Sequence, residues 1–318
     1  MGAQKVNHQI HKLGSLAVNR KKISRSVLDH RKYVIALREK AKVGPKGFQQ
    51  LLLTFGSLEN IYKASIDELA SLPRMTPEKA EQLLQSQEDL IEIERHVSYL
   101  EEQGIGISTL LDDDYPRMLK QIDNPPPLLY YRGEFPLLNE SFVAVVGTHR
   151  GYSSWGIGLA VQIAKNLAQR DVVVISGLAE GIDTAAHVGA IQQEGKTYAV
   201  LGAGLNKIYP AENTALAQEI TYHGALITEY DLNVPVKVGQ LMARNRIAVG
   251  LSQAVILVEM NEDRSEGTVS AADIAIEQGK PLYVMKKQNS QKVKDLIAEG
   301  AVALEGVDDL DLVVQCLF

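Results

Sequence analysis

The sequence predicts an α/β protein, a doubly wound and mostly parallel sheet preceded by a small helical domain. Three observations carry that expectation. From about residue 105 onward, short β-branched runs alternate with stretches long enough for helices. Those runs are apolar at nearly every position, the pattern of strands buried on both faces. Residues 31–104 instead read as short helices separated by turn signals.

Taken in order, residues 1–30 form a basic N-terminal arm of low apolar content. Residues 1–50 hold twelve Lys and Arg against Asp29 and Glu39, a local balance of +10 in a chain whose overall charge is −6. Arms of this kind contact polyanions, and a solvated tail is the alternative. In the helical domain, "YVIALREKAKVGPKGFQQLLLTFGS" ends one helix near Lys42 and starts another after Pro45. Ser65 with Glu68 three residues on is a capping-box signature, and Pro77 opens a helix after Thr76. "KVGPKGFQQLL" and "LPRMTPEKAEQLL" form a weak internal repeat of helix–turn–helix units.

Residues 105–318 make up the sheet domain. The segment "DDDYPRMLKQIDNPPPLLYYRG" leads in, its prolines enforcing an extended path. The strands are "FVAVVGT", "DVVVISG", "KTYAVLGAG", "GALITEY", "AVILVEM" and "PLYVM", with helices such as "GIGLAVQIAKNLAQR" and "GIDTAAHVGAIQQEG" between them.

Several function classes are excluded or weakened. A single cysteine, Cys316, rules out an internal disulfide and fits a reducing compartment. No apolar run approaches the ~20 residues of a membrane-spanning helix, so a cytoplasmic location without membrane contact is expected. There is no G-x-G-x-x-G after the first strand, no P-loop, no zinc-type Cys/His spacing and no G-x-S-x-G elbow. Hence no cofactor, no metal and no catalytic residue is expected. Asp183 and His187 share one helical face, and a hydrogen-bonded structural pair is the simpler reading of them than catalysis.

Ligands of open parallel sheets bind beyond the carboxyl ends of the strands, where helix N-termini present unpaired N–H groups. Here those ends read Gly147-Thr148-His149-Arg150, Ser176-Gly177-Leu178-Ala179, Gly202-Ala203-Gly204 and Ser265-Glu266-Gly267-Thr268. Any one of them is an ordinary tight turn, but four on one edge favour a phosphate-binding surface. Arg244 and Arg246, flanking Asn245 before "IAVGLSQAVILVE", are either a salt-bridged pair or a phosphate clamp suited to the guanidinium's fork of donors. Internal carboxylate pairs facing away from the edge would exclude the clamp.

The segments "SGLAEGIDTAAH", "YAVLGAGLNKIYPAEN", "ALITEY" and "RNRIAVGLSQAVILVE" together resemble the DprA/Smf family of DNA-processing proteins. The resemblance extends upstream through "GPKGFQQLLLTFGSLENIYKAS" and "AVVGTHR" and covers roughly residues 33–305. It implies a Rossmann-like domain after a SAM or helix-hairpin-helix-like one, single-stranded DNA binding as a homodimer, and no catalysis. It further implies help in loading a RecA-type recombinase during recombination and natural transformation. The family's Gly-Ser-Arg loop falls on Gly147, Thr148 and His149, with Arg150 as a substitute cation. Its Arg-Asn-Arg falls intact on Arg244, Asn245 and Arg246, and its lysine before the third strand on Lys196.

The implied DNA contacts are Gly147, Thr148, His149, Arg150, Ser176, Gly177, Lys196, Gly204, Arg244, Asn245 and Arg246. The departures mark a divergent member. Leu241-Met242-Ala243 replaces the common Phe-Pro, "DRSEGTVSAAD" replaces the Ser-Gly-Ser loop, and "MKKQNSQKVKDLI" replaces a Pro-Gly pattern. The sequence also ends without the winged-helix domain that many members append. The competing reading is a nucleotide-binding or phosphoribohydrolase-like site in the same edge, using Gly267-Thr268 with Glu229, Glu259 or Glu266.

Overall fold

The computed structural model describes residues 29–136, 139–261, 266–288 and 290–317. The basic arm therefore lies, through residue 28, outside the described residues. The chain divides into two compact units, one reaching Tyr115 and including Asp123–Leu129, the other comprising Pro116–Ile122 and Tyr130–Phe318. That division falls later than the sequence boundary at residue 104.

In the first unit, α1 (Asp29–Ile35) runs into a π-helical turn over Ala36–Lys40. Then come α2 (Pro45–Phe55), α3 (Leu58–Lys63), α4 (Ile66–Ala70), α5 (Pro77–Gln85) and α6 (Leu90–Glu102), with β1 (Ile105–Thr109) at its end. Local chemistry sets most of these boundaries. Ser65 Oγ accepts from the Glu68 N–H while the Glu68 carboxylate accepts from the Ser65 N–H, a complete capping box. Thr76 caps α5 with Pro77 in its first turn, and Gly44 precedes Pro45 at the start of α2. Leu37, Phe48, Leu51, Ile61, Leu69, Leu83 and Leu100 are buried as its apolar centre.

In the second unit, α7 (Arg117–Lys120) and, from Tyr130 onward, β2 (Leu128–Gly133) precede the parallel strands. These are β3 (Ser141–Val146), β4 (Val172–Ser176), β5 (Thr197–Val200), β6 (Gly224–Thr228), β7 (Ala254–Leu257), β8 (Leu282–Met285) and β9 (Val302–Leu304). Between them run α8 (Ser154–Ala168), α9 (Ile182–Ile191), α10 (Thr214–His223), α11 (Val238–Ala243), α12 (Asn245–Leu251), α13 (Glu266–Glu277) and α14 (Gln291–Ala298), with α15 (Leu310–Gln315) last.

The spatial order is β2-β6-β5-β4-β3-β7-β8-β9, parallel except where β2 runs antiparallel to β6. Each strand that the β-branched runs predicted is present. The strands β1, β2 and β9 are additions to the six apolar runs.

Alternation along β3 explains why the sheet must be covered twice. Val143 and Val145 pack with Leu159, Ile163 and Ile182 on one face. Ala144 and Val146 pack with Val249, Ala271 and Val284 on the other. The chain leaves β3 for β4 on one side and returns to it with β7 on the other, so strand order reverses between β3 and β7. Helices diverge at such a reversal and leave a crevice beyond the carboxyl ends.

Candidate nucleic-acid interface

The carboxyl edge of β3–β8 carries the turns that the sequence singled out, and the structure shows which of their polar groups are already engaged. After β4, Leu178 takes a left-handed conformation (φ 60°), turning the Gly177 and Ala179 N–H groups toward one point. Such a nest suits an anion, and the chain supplies its own. Gly177 N–H and Ala179 N–H donate to Asp183 Oδ2 at 3.1 and 3.4 Å. Ser176 Oγ is spent on the Val145 carbonyl (2.7 Å), bolting β4 to β3.

Arg244 reaches the same Asp183 oxygen with Nη2 at 3.4 Å and is only 7% exposed. Its guanidinium lies against Gly177, where a Cβ would overlap it. The glycine is thus required for that close approach rather than for a bound ligand. Arg244 Nε is buried without a hydrogen-bond partner.

His187, one turn beyond Asp183, does not pair with it. Thr197 Oγ1 donates to the Val174 carbonyl, so His187 Nδ1 donates to Thr197 Oγ1 (2.7 Å), and Nε2 is left as a buried acceptor without a partner. Burial, assisted by the Arg244 charge, pushes the His187 pKa down to about 3. The ring is therefore neutral at physiological pH.

Arg244, Asn245 and Arg246 sit where α11 gives way to α12, and consecutive side chains at such a junction diverge. Arg246 Nη2 donates to Glu229 Oε2 at 2.7 Å, just past the end of β6. Asn245 Nδ2 donates to the Gly267 carbonyl (3.0 Å) in the first turn of α13. The three residues fasten the turns after β4 and β6 to the start of α13. Gly204 has a similar role: its N–H donates to Val234 O (2.9 Å), and a Cβ there would run into the backbone of Asp231 and Leu232.

The open clamp expected from the sequence is corrected accordingly. Both arginines lie on the predicted edge, but each is locked to a carboxylate, and the four side chains together carry no net charge. Arg246 Nη1, like Arg244 Nε, is buried without a partner.

At the end of β3, Thr148 is fully buried and ties the turn to β7. Its N–H and Oγ1 donate to the Glu259 carbonyl (2.9 and 3.1 Å), and its Oγ1 accepts from the Asn261 N–H (2.9 Å). His149 is half-buried and Arg150 is exposed. The Glu259 carboxylate accepts from the Ser153 N–H (3.0 Å) and from Ser153 Oγ at the start of α8. Beside it, in the crevice between β3 and β7, is a cavity of about 440 Å³ lined by Gly151, Trp155, Glu259, Met260, Asn261, Lys287 and Gln288.

Lys196 does not join the other residues. It precedes β5, at the amino edge of the parallel strands, and donates to Glu134 (3.0 Å) and Glu140 (2.7 Å). The Glu140 hydrogen bond, partly opposed by desolvation, raises its pKa above the ordinary lysine value. Thr268, in the loop of the alternative reading, is buried, whereas Glu266 is exposed.

Sequence reasoning passed over several residues of the carboxyl edge. Lys207 after β5, Lys237 after β6 and Lys287 after β8 are exposed, as Arg150 is. Lys286 beside them is engaged with Glu305 (2.6 Å). The signal that finds them is position: each cation follows a strand of the parallel set within one loop. Among the described residues no three His, Cys, Asp or Glu side chains gather as a metal would require, and no helix is long and apolar enough to cross a membrane.

Comparison with known proteins places this arrangement. Residues 106–314 match the family model described as DNA recombination-mediator protein A, and residues 36–89 match the SAM-like helix-hairpin-helix tandem. Protein Smf of Synechocystis is 34% identical over 234 residues, covering 71% of this chain and 58% of that protein. The X-ray structure of DNA processing protein A from Streptococcus pneumoniae is 29% identical with a TM-score of 0.72, over 88% of this chain and 96% of that one. The Helicobacter pylori DNA processing protein A, solved for its single-stranded DNA binding mode, is 27% identical with a TM-score of 0.60, over 67% and 97%. A matched segment this long, together with the shared fold, makes the chain a member of the DNA recombination-mediator protein A family, the DprA/Smf proteins.

Proposed function

We propose that this protein binds single-stranded DNA along the carboxyl edge of its parallel sheet and acts in recombination. The observation that carries the reading is the placing of exposed cations on four turns of one edge, those after β3, β5, β6 and β8: Arg150, Lys207, Lys237 and Lys287. Opposite-edge Lys196 is excluded from the set because two glutamates hold it there. The reading is supported by the single-stranded DNA binding of the Helicobacter pylori relative.

The buried pairs act differently from the exposed cations. Each guanidinium is oriented by one carboxylate, which leaves Arg244 Nε and Arg246 Nη1 as unspent donors. Both atoms are buried, so in this reading the pairs set the shape of the edge and neither touch the strand nor supply net charge. Electrostatic attraction comes from the exposed set, and binding is sequence-tolerant because the contacts go to phosphates. The role is binding rather than catalysis, as a homodimer that assists a RecA-type recombinase in recombination and natural transformation.

Fluorescence anisotropy of a labelled oligonucleotide, single-stranded against duplex and over a salt series, tests the reading. With about four phosphates neutralised at ~0.7 ions each, the log–log slope is about −3. A preference for duplex, or a slope near zero, overturns it.

A further inference from the structure

The crevice between β3 and β7 is open and presents an aromatic face. Its cavity of about 440 Å³ falls within the ~300–1,000 Å³ of small-ligand sites. Trp155, in the first turn of α8, is 38% exposed and forms one wall. The opposing wall is built firmly: Met260 N–H donates to Gln288 Oε1 (2.8 Å), Gln288 Nε2 donates to the Met285 carbonyl, and Asn261 N–H is held by Thr148. Two charged groups enter the cavity, Glu259 and Lys287, and they offset each other.

That balance decides what the cavity suits. A phosphate placed inside would meet the Glu259 carboxylate, so the cavity itself is a poor anion seat. A flat, neutral heterocycle meets neither penalty. It stacks on the indole, and its ring N–H or amino group faces the Glu259 carboxylate, whose oxygens keep lone pairs beyond those used by Ser153. Every DNA base carries at least one such donor on its pairing edge, so this acceptor does not select strongly among them. Lys287, exposed at the mouth, is placed for the flanking phosphate.

We propose that this crevice is a nucleobase-stacking subsite, in which one unpaired base of the strand lies on Trp155 while its phosphate meets Lys287. The proposal rests on the single-strand reading above and deepens it. Duplex DNA is excluded from such a seat because its bases are stacked and paired, so the crevice supplies discrimination that the exposed cations alone cannot. The chain has one tryptophan, so indole emission from the full-length protein reports on this crevice alone.

The experiment follows tryptophan emission and the anisotropy of labelled oligo(dT) in the same titration of the full chain. Emission should be quenched in step with the anisotropy rise. The same backbone made of abasic units should raise the anisotropy without the quench. Trp155→Ala should weaken oligo(dT) binding by about tenfold, the lower part of the range for one stacked base, and Trp155→Phe should recover most of that loss. A rise in anisotropy without quenching, or equal quenching by the abasic strand, overturns the subsite and leaves the single-strand reading standing. No anisotropy change with the unmodified protein overturns the single-strand reading itself, and the subsite with it.

Discussion

The two halves of the carboxyl edge use the same backbone geometry to opposite ends. Beyond β4 the N–H groups of the turn are filled by the Asp183 carboxylate, beyond β6 stands Glu229, and Arg244 and Arg246 close over these two acids. Beyond β3, β7 and β8 the corresponding space is an open crevice with an indole on one wall. The fold brings an acid to backbone N–H groups in both halves, Asp183 after β4 and Glu259 at Ser153, and what sets the second apart is the open space left beside its acid. The first half is a fastener that sets the shape of the edge, and the second half is available to a ligand.

The comparison is broken or sharpened first at Asp183. Asp183→Ala would leave the Arg244 guanidinium buried and uncompensated, and the loss of one partner of a buried pair costs about 3–5 kcal/mol. The urea midpoint should fall correspondingly, with little change in the open crevice. A stability loss below about 1 kcal/mol would mean that the fastener is not holding the edge.

Acid should loosen the same half. His187 has a folded pKa of about 3, below its unfolded value of about 6.5. Its contribution is complete above pH 6.5 and is lost as pH falls from there toward 3, because the unfolded chain takes up a proton that the folded chain does not. The limiting slope is about 1.4 kcal/mol per pH unit. His187→Gln should flatten that limb in a series of urea denaturations, and an unchanged limb would remove His187 as its source.

Charge on the open edge comes next. Arg150→Ala combined with Lys237→Ala should make the salt slope shallower by about 1.4, two phosphate contacts at ~0.7 each, with thermal stability unchanged. A slope that stays near −3 would move the strand elsewhere on the molecule.

The smallest effect belongs to the amino edge. Lys196→Ala breaks a partly exposed ion-pair cluster, for which a loss of about 1 kcal/mol or less is expected. Single-strand affinity should not change. A large drop in affinity would show that the strand crosses to the amino edge.

Most of the architecture could be read from the chain because it depends on neighbours. The Ser65–Glu68 capping box and the Thr76–Pro77 start of α5 need only a few consecutive residues. The strands β3 to β8 were visible because burial on both faces removes polar residues from every position. The antiparallel pairing of β2 with β6 was not visible, since no local pattern specifies a partner almost a hundred residues away. Lys196 was misgrouped even though its place immediately before a strand already put it at the amino edge. Trp155 was overlooked because the low aromatic content of the whole chain says nothing about where a single indole stands.

The sequence by itself determined the doubly wound sheet, the location of the glycine-lined edge and the presence of Arg-Asn-Arg upon it, since periodicity and turn chemistry act over short range. Only the tertiary structure decided that those arginines are neutralised. Arg244 meets Asp183 across 61 residues of chain and Arg246 meets Glu229 across 17. Coulomb forces depend on distance in space, and that distance is set by packing rather than by order along the chain.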